Sequence, residues 1–237
     1  RKGFDSSAGG CPNPIFPNGS MFALPIPDGQ SKIPYKDVQY QDVEGEIIHV
    51  GSLVKHLTKD KVKPNHKAHL DPDLLLGSYP RLENWQPVLG QCGSAQGHLS
   101  NHEIGVCDVF VYFAVFREVE KFQRKWRFVP GTTNKHLIWA TMKVKRVLKV
   151  DEVRNNSQFD WLQYHPHLQY EVDPNNTIYV GDRKNTHIFS QHHSELQLTC
   201  ESSNKPSIWS LPKWIYPIQH RGNKPIKTPL SYHHNLD

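Results

Sequence analysis

From residue 104 onward the chain is written for strands. "IGVCDVFVYFAVFREVE" reads as a turn followed by one long buried strand. "RKWRFVPG" and "KHLIWATMKVKRVLKV" come next, again rich in aromatic and β-branched residues. Runs of that composition, separated by polar or Gly-containing turns, fit the half-buried pleated surface of a sheet. Within the last run "TMKVKRVLKV" alternates, so one face of that strand is expected in water. The longest apolar stretch, "VFVYFAVF" (109–116), has the length of a strand. It falls well short of the roughly 20 residues that a membrane helix needs.

The first hundred residues are less regular. Residues 1–35 are dense in Gly and Pro, with "MFALPIP" the best strand, and its prolines keep it from the middle of a sheet. Residues 36–60 read as a strand and then a helix, with "IIHVGSLVKHL" as the apolar part. "DPDLLLG" has the marks of a helix start: Asp71 as cap, Pro72 in the first turn, Gly77 as the stop. After the strands, "DEVRNNSQFDWLQYHPHL" is expected to be helical and "NNTIYVGD" a short strand, ahead of an extended Trp/Pro-rich tail. No internal repeat is visible. The sum is an α+β fold, a single domain over residues 1–237, with a central, mostly antiparallel, partly barrel-like sheet and long loops.

Composition narrows the class. Hydrophobic residues are 37% and charged residues 22%, which excludes a disordered or membrane-embedded chain. The net charge of +5, with fifteen His in reserve below pH 7, is compatible with a polyanionic partner, although many proteins carry such a charge. Cys11, Cys92, Cys107 and Cys200 form no C-x-x-C pair and no disulfide scaffold. Reduced cysteines, a charged Gly-rich start without a secretory leader and the lack of a membrane segment lead to the expectation of a cytoplasmic protein.

A set of segments, taken in order, carries a family resemblance. They are "RKGFDSSAGG", "FALPIP", "AHLDPDL", "GQCGSAQGHL", "IGVCDVFVYFAVFRE", "HLIWATMKV", "HPH", "NNTIYV", "WSLPKWIYP" and "PLSYH". Over nearly its whole length the chain resembles the bacterial and phage family called nucleotide modification associated domain 3. It departs from that pattern at Cys107 and Ala114, where glycines are expected. The resemblance implies a DNA or nucleotide substrate; it fixes no reaction and names no cofactor.

The chemistry has to come from residues. "NHKAHLDPDLLLG" places His69, Asp71 and Asp73 at alternate positions. In an extended segment alternate side chains share a face. Cleavage of an N-glycosidic bond needs a carboxylate at the sugar and an acid for the leaving base. Asp5, in the Gly-rich "RKGFDSSAGG", is read as the carboxylate at the sugar, with His69 and Asp71 handling proton transfer or water. The competing readings make Asp71 a plain helix cap, or the set a divalent-metal site. H-x-D also occurs in iron/2-oxoglutarate oxygenases, with a distal His and a following Arg. His167 and Arg183 are the candidates, but the strand pattern around "HLDPDLLLG" speaks against that fold. Substrate binding is assigned to Lys2, Ser6 and Ser7 for phosphate, to Gln91, Gln96 and His98 for the base, and to Asp73 beside them. Each of these loops also has an ordinary reading as a tight or polar surface turn. The H-P-H of His165 and His167 and the tail residues His233 and His234 are further metal candidates, more often satisfied structural groups.

The leading expectation is therefore an enzyme that releases a modified base from DNA by hydrolysis. The alternatives are a non-catalytic reader of modified nucleic acid and a metal-dependent nuclease. The turn "GVCD" before a hydrophobic strand also occurs in PUA-like and EVE-like barrels, and there Asp108 would fix the turn.

Overall fold

The computed structural model describes residues 3–6, 8–170 and 173–211, with the backbone of 219–221 and 224–226. Lys2, Ser7, Trp214, His233 and His234 lie outside the described residues. In chain order the strands are β1 (Asn13–Ile15), β2 (Ile26–Pro27), β3 (Gln39–Gln41), β4 (Ile47–His49), β5 (Ala68–His69) and β6 (Val88–Gln91). They continue with β7 (Val109–Phe122), β8 (Lys125–Phe128), β9 (Lys135–Lys149), β10 (Thr177–Ile188), β11 (Gln219–Arg221) and β12 (Lys224–Ile226). Helices are α1 (Val50–Leu57), α2 (Gly93–Asn101) and α3 (Val150–Val153).

The fold is α+β, built on a mixed sheet that curls into a half-barrel. Its strand order is β1-β7-β9-β10-β6, with β8 paired to β7. β1 runs parallel to β7, and the other pairings in this sheet are antiparallel. β7 and β9 are the long β-branched runs of the sequence, and their pairing spans most of both. β10 is longer than "NNTIYVGD" predicts. Its register breaks after Gly181 and resumes at Thr186, opposite Met142, so Thr186, His187 and Ile188 are held by backbone pairing.

Three local expectations are corrected. "DPDLLLG" is not a helix: the Asp71–Pro72 peptide is cis, and Asp73 forms an isolated antiparallel bridge with Val88. A short 3-10 turn follows only at Leu76–Ser78. "GQCGSAQGHLSNHE", read as a loop, is the end of β6 and then α2. Gly93 and Gly97 hid that helix, because glycine is a poor helix former. The segment after β9 forms α3 and the 3-10 turns Ser157–Leu162 and Pro166–Leu168 rather than a continuous helix. Trp161, Leu162 and Leu168 of that segment are buried with Val88, Ile178 and Val180, which fixes it against β6 and β10.

Asp108 does fix the turn before β7: its carboxylate accepts from the Gly105 N–H at 2.8 Å. Cys107, where the family pattern expects glycine, has φ +79°. That left-handed conformation explains why glycine suits the position. No helix among the described residues is long and apolar enough to cross a membrane.

Candidate active site

A cavity of about 610 Å³ opens beside the sheet. Leu89, Phe110, Tyr112, Trp139 and Phe189 contribute apolar and aromatic lining, from β6, β7, β9 and the end of β10. His69, Asp71 and His167 line the same cavity. Three parts of the chain supply this polar cluster. β5 ends on His69 and leads to Asp71, the 3-10 turn at 166–168 carries His167, and the loop after β2 carries Asp28.

Asp71 sits at the middle. The imidazole Nε2 of His69 is 3.5 Å from its Oδ2, that of His167 is 3.4 Å from Oδ2, and that of His165 is 3.5 Å from Oδ1. These separations are long for hydrogen bonds. Only the Gly90 N–H donates to the carboxylate at close range, 2.7 Å to Oδ1. Burial works against the charge of Asp71, yet the facing rings of His165, His167 and His69 hold its carboxyl well below the usual carboxylate range.

The outer nitrogens settle how each ring is oriented. His69 Nδ1 lies 3.1 Å from Asp28 Oδ2, and Asp28 also accepts from Ser31 and from the Tyr170 hydroxyl. A carboxylate only accepts, so His69 Nδ1 carries a proton. Burial lowers the pKa of His69, but Asp28 and Asp71 outweigh it and raise it to about 9. Its hydrogen bond from His69 in turn holds Asp28, despite burial, well below the usual range. For His167, Asn176 Nδ2 donates to the His167 carbonyl at 2.8 Å, which turns the amide Oδ1 toward His167 Nδ1 at 2.7 Å. That nitrogen must donate, and Nε2 is left facing Asp71. His165 is reversed. Its Nδ1 accepts from the His167 backbone N–H, so the proton of the neutral ring sits on Nε2, toward Asp71 Oδ1. Full burial lowers the pKa of His165 against the pull of Asp71, in keeping with a neutral ring. The two oxygens of Asp71 are thus sorted: Oδ1 faces donors, and Oδ2 faces His69 and His167.

The other candidates divide. Gln91, Cys92 and His98 line the cavity. Gln96 is buried elsewhere, bonded to Ser100 and the Tyr179 hydroxyl. Asp73 contributes to the lining, but its carboxylate accepts from Arg81 at 2.6 Å, Trp85 at 2.9 Å and Tyr164 at 2.5 Å. It anchors the segment and does not join Asp71. Gly3 and Phe4 line the cavity and Asp5 does not. Ser6 is engaged in its own turn, with its hydroxyl facing the Ala8 N–H and its carbonyl accepting from Gly10. Arg183 is exposed and lies over Trp85, outside the cavity lining.

His69, Asp71 and His167 each offer a ligand atom, all within 4.8 Å of one another, and form a group able to hold a metal ion. The fold thus brings His167 to the H-x-D pair, while Arg183, named with it in the sequence, stays outside the group. Asp28, Tyr170 and Asn176 carry no sequence signal of their own. Asp28 stands in "PIPDGQ" and Asn176 in "DPNNT", both ordinary turn compositions.

Gly90 explains how His167 comes so close to β6. A Cβ at residue 90 would lie 2.3–2.8 Å from atoms of the His167 ring, which Asn176 holds in place. Gly90→Ala is expected to displace the ring and to destabilise the protein by about 1–3 kcal/mol. Urea denaturation reads the loss, and an unchanged midpoint would show that the ring has room to move.

A family model described as nucleotide modification associated domain 3 matches residues 1–237, the whole chain. No curated protein and no solved structure matches.

Proposed function

Since the chain belongs to the nucleotide modification associated domain 3 family, we propose that its cavity takes a nucleotide or a modified base as substrate. Involvement in nucleotide modification follows from the family itself. The finer reading is hydrolysis, most concretely the release of a modified base from DNA. One observation carries it: an ionised carboxylate, Asp71, stands beside the imidazole of His69 at the edge of a cavity lined with aromatic side chains.

A flipped base needs an apolar, partly aromatic slot and a few polar groups for its edges. Tyr112, Trp139 and Phe110 offer the aromatic surface, and Gln91 and His98 the edge groups. In the reaction a water oxygen bonds to the sugar carbon as the carbon–nitrogen bond breaks. The bonding pair leaves with the base nitrogen, which takes up a proton, and the sugar keeps a hydroxyl. Asp71 serves the water or the cationic sugar, and His69 is the proton donor, since Asp28 and Asp71 keep it protonated. Asp5 stays close by sequence to Gly3 and Phe4, but its chemical role passes to Asp71.

The test is mass spectrometry of free bases and nucleosides after incubation with DNA carrying phage-type modified bases. Release of a free modified base is the expected result. Binding without any product would place the chain among readers, and cut strands without base release would make it a nuclease.

A further inference from the structure

We infer that His69, Asp71 and His167 hold one divalent first-row transition ion, with its remaining coordination positions open to the cavity. In what the ion does for the substrate, this rests on the reading of the cavity as the reaction centre. The binding itself rests on geometry alone.

The argument starts from lone pairs. Asn176 takes the proton of His167 on Nδ1, and Asp28 takes that of His69 on Nδ1. Both rings then turn Nε2 to the same oxygen, Asp71 Oδ2, at 3.4 and 3.5 Å. With both rings neutral, the two Nε2 lone pairs face those of Asp71 Oδ2, an arrangement that a cation between them relieves. The spacing is that of ligands around an ion. With bonds of about 2.1 Å, neighbouring donors stand about 3.0 Å apart at a right angle and about 3.4 Å at the tetrahedral angle. Direct hydrogen bonds would have drawn them closer.

The surroundings fit the same reading. Metal-binding imidazoles give their other N–H to a carboxylate or a carbonyl, which fixes the tautomer and the ring. Asp28 and the Asn176 amide oxygen occupy those two places. Gly90 N–H and His165 Nε2 face Oδ1, which leaves Oδ2 as the ligand atom. His165 is by this account a positioning residue. Two imidazoles and one carboxylate favour Fe(II), Zn(II) and their neighbours over Mg(II), which prefers oxygen ligands. All three ligand residues line the cavity, so the open side faces any substrate within it. An ion there would supply an activated water in place of the His69 proton and the free Asp71 carboxylate, whose atoms it would occupy. A proton held between His69 and Asp71 is the rival occupant of the gap.

Titration of EDTA-treated, dialysed full chain with Co(II) alone decides between them. The expected result is one Co(II) per chain, with visible absorption bands of a nitrogen- and oxygen-ligated ion and no comparable uptake of Mg(II). His167→Ala is expected to remove the bands. Asn176→Ala, which leaves all three ligands in place, is expected to weaken binding about 10–100-fold. Circular dichroism checks that each variant is folded. Wild-type protein that is folded and takes up no Co(II), or Co(II) bound equally by folded His167→Ala, overturns the site. Bound Co(II) with no base released from any modified DNA overturns the base-release reading and leaves the metal site standing. Base release that persists in metal-free protein overturns the ion's part in the chemistry and leaves that reading intact.

Discussion

Asp71→Asn is expected to abolish turnover, by about 10³-fold or more, in a protein that still folds. The substitution keeps the shape and removes the charge. Its orientation is dictated in advance. Gly90 N–H and the His165 Nε2 proton face the Oδ1 position, so the amide oxygen belongs there. The amide nitrogen then takes the Oδ2 position, between His69 and His167. A donor replaces an acceptor at the one atom where the chemistry needs negative charge. The measurement is the rate of free-base release, with circular dichroism and a melting curve as the check on folding. A folded Asp71→Asn protein that keeps its rate within about tenfold would remove this carboxylate from the mechanism.

Asp73→Ala is expected to act on stability instead. The Arg81 and Asp73 side chains are each 2% exposed and meet at 2.6 Å. Trp85 and Tyr164 donate to the same carboxylate. Truncation strands a buried guanidinium, an indole N–H and a phenol at once. Breaking a buried ion pair from one side costs about 3–5 kcal/mol. For a chain of this length that lowers the melting midpoint by about 10 °C. Arg81 also lies 4.8 Å from the centre of the Tyr164 ring, which offsets a little of the loss. A midpoint within about 2 °C of wild type would show that water reaches Arg81 and takes over from Asp73. The two neighbouring aspartates therefore separate: the first expected to cost activity, the second the fold.

Sequence patterning made the middle of the sheet legible and little around it. β7 and β9 announced themselves because long runs of aromatic and β-branched residues have no better home than a sheet. The second half of β10, "DRKNTHI", gave no such signal: residues 182–185 fall in the interruption of the register, and Thr186, His187 and Ile188 pair with β9 through the backbone. "DPDLLLG" imitates a helix start residue by residue. Its outcome was decided by partners outside the segment: Val88 for the backbone of Asp73, and Arg81, Trp85 and the distant Tyr164 for its carboxylate. In the site, the His69–Asp71 spacing was readable as two side chains on one face, and the fold sets them 3.5 Å apart. His167 was visible as one of a pair, yet nothing local ties it to Asp71. Asp5 stood out as an acid in a glycine-rich loop, and only the fold could show that Asp28, in an ordinary turn, is the acid that meets His69. Gln96 was read as a base-edge group because side-chain amides pair with bases; α2 turns it inward to Tyr179.

The hydrogen bonds that close the centre span long stretches of chain. Asp73 to Tyr164 joins residues 91 apart, and His69 to Tyr170 joins residues 101 apart. β6, which carries Gly90, has its sheet partner in β10. A chain still leaving the ribosome near residue 160 can already pair β1, β7, β8 and β9, while His69 and Asp71 wait for the histidines that complete them. Birth order thus holds the polar centre open until His165, His167 and Asn176 have been made, and a copy that stops short of them has the strands without the centre.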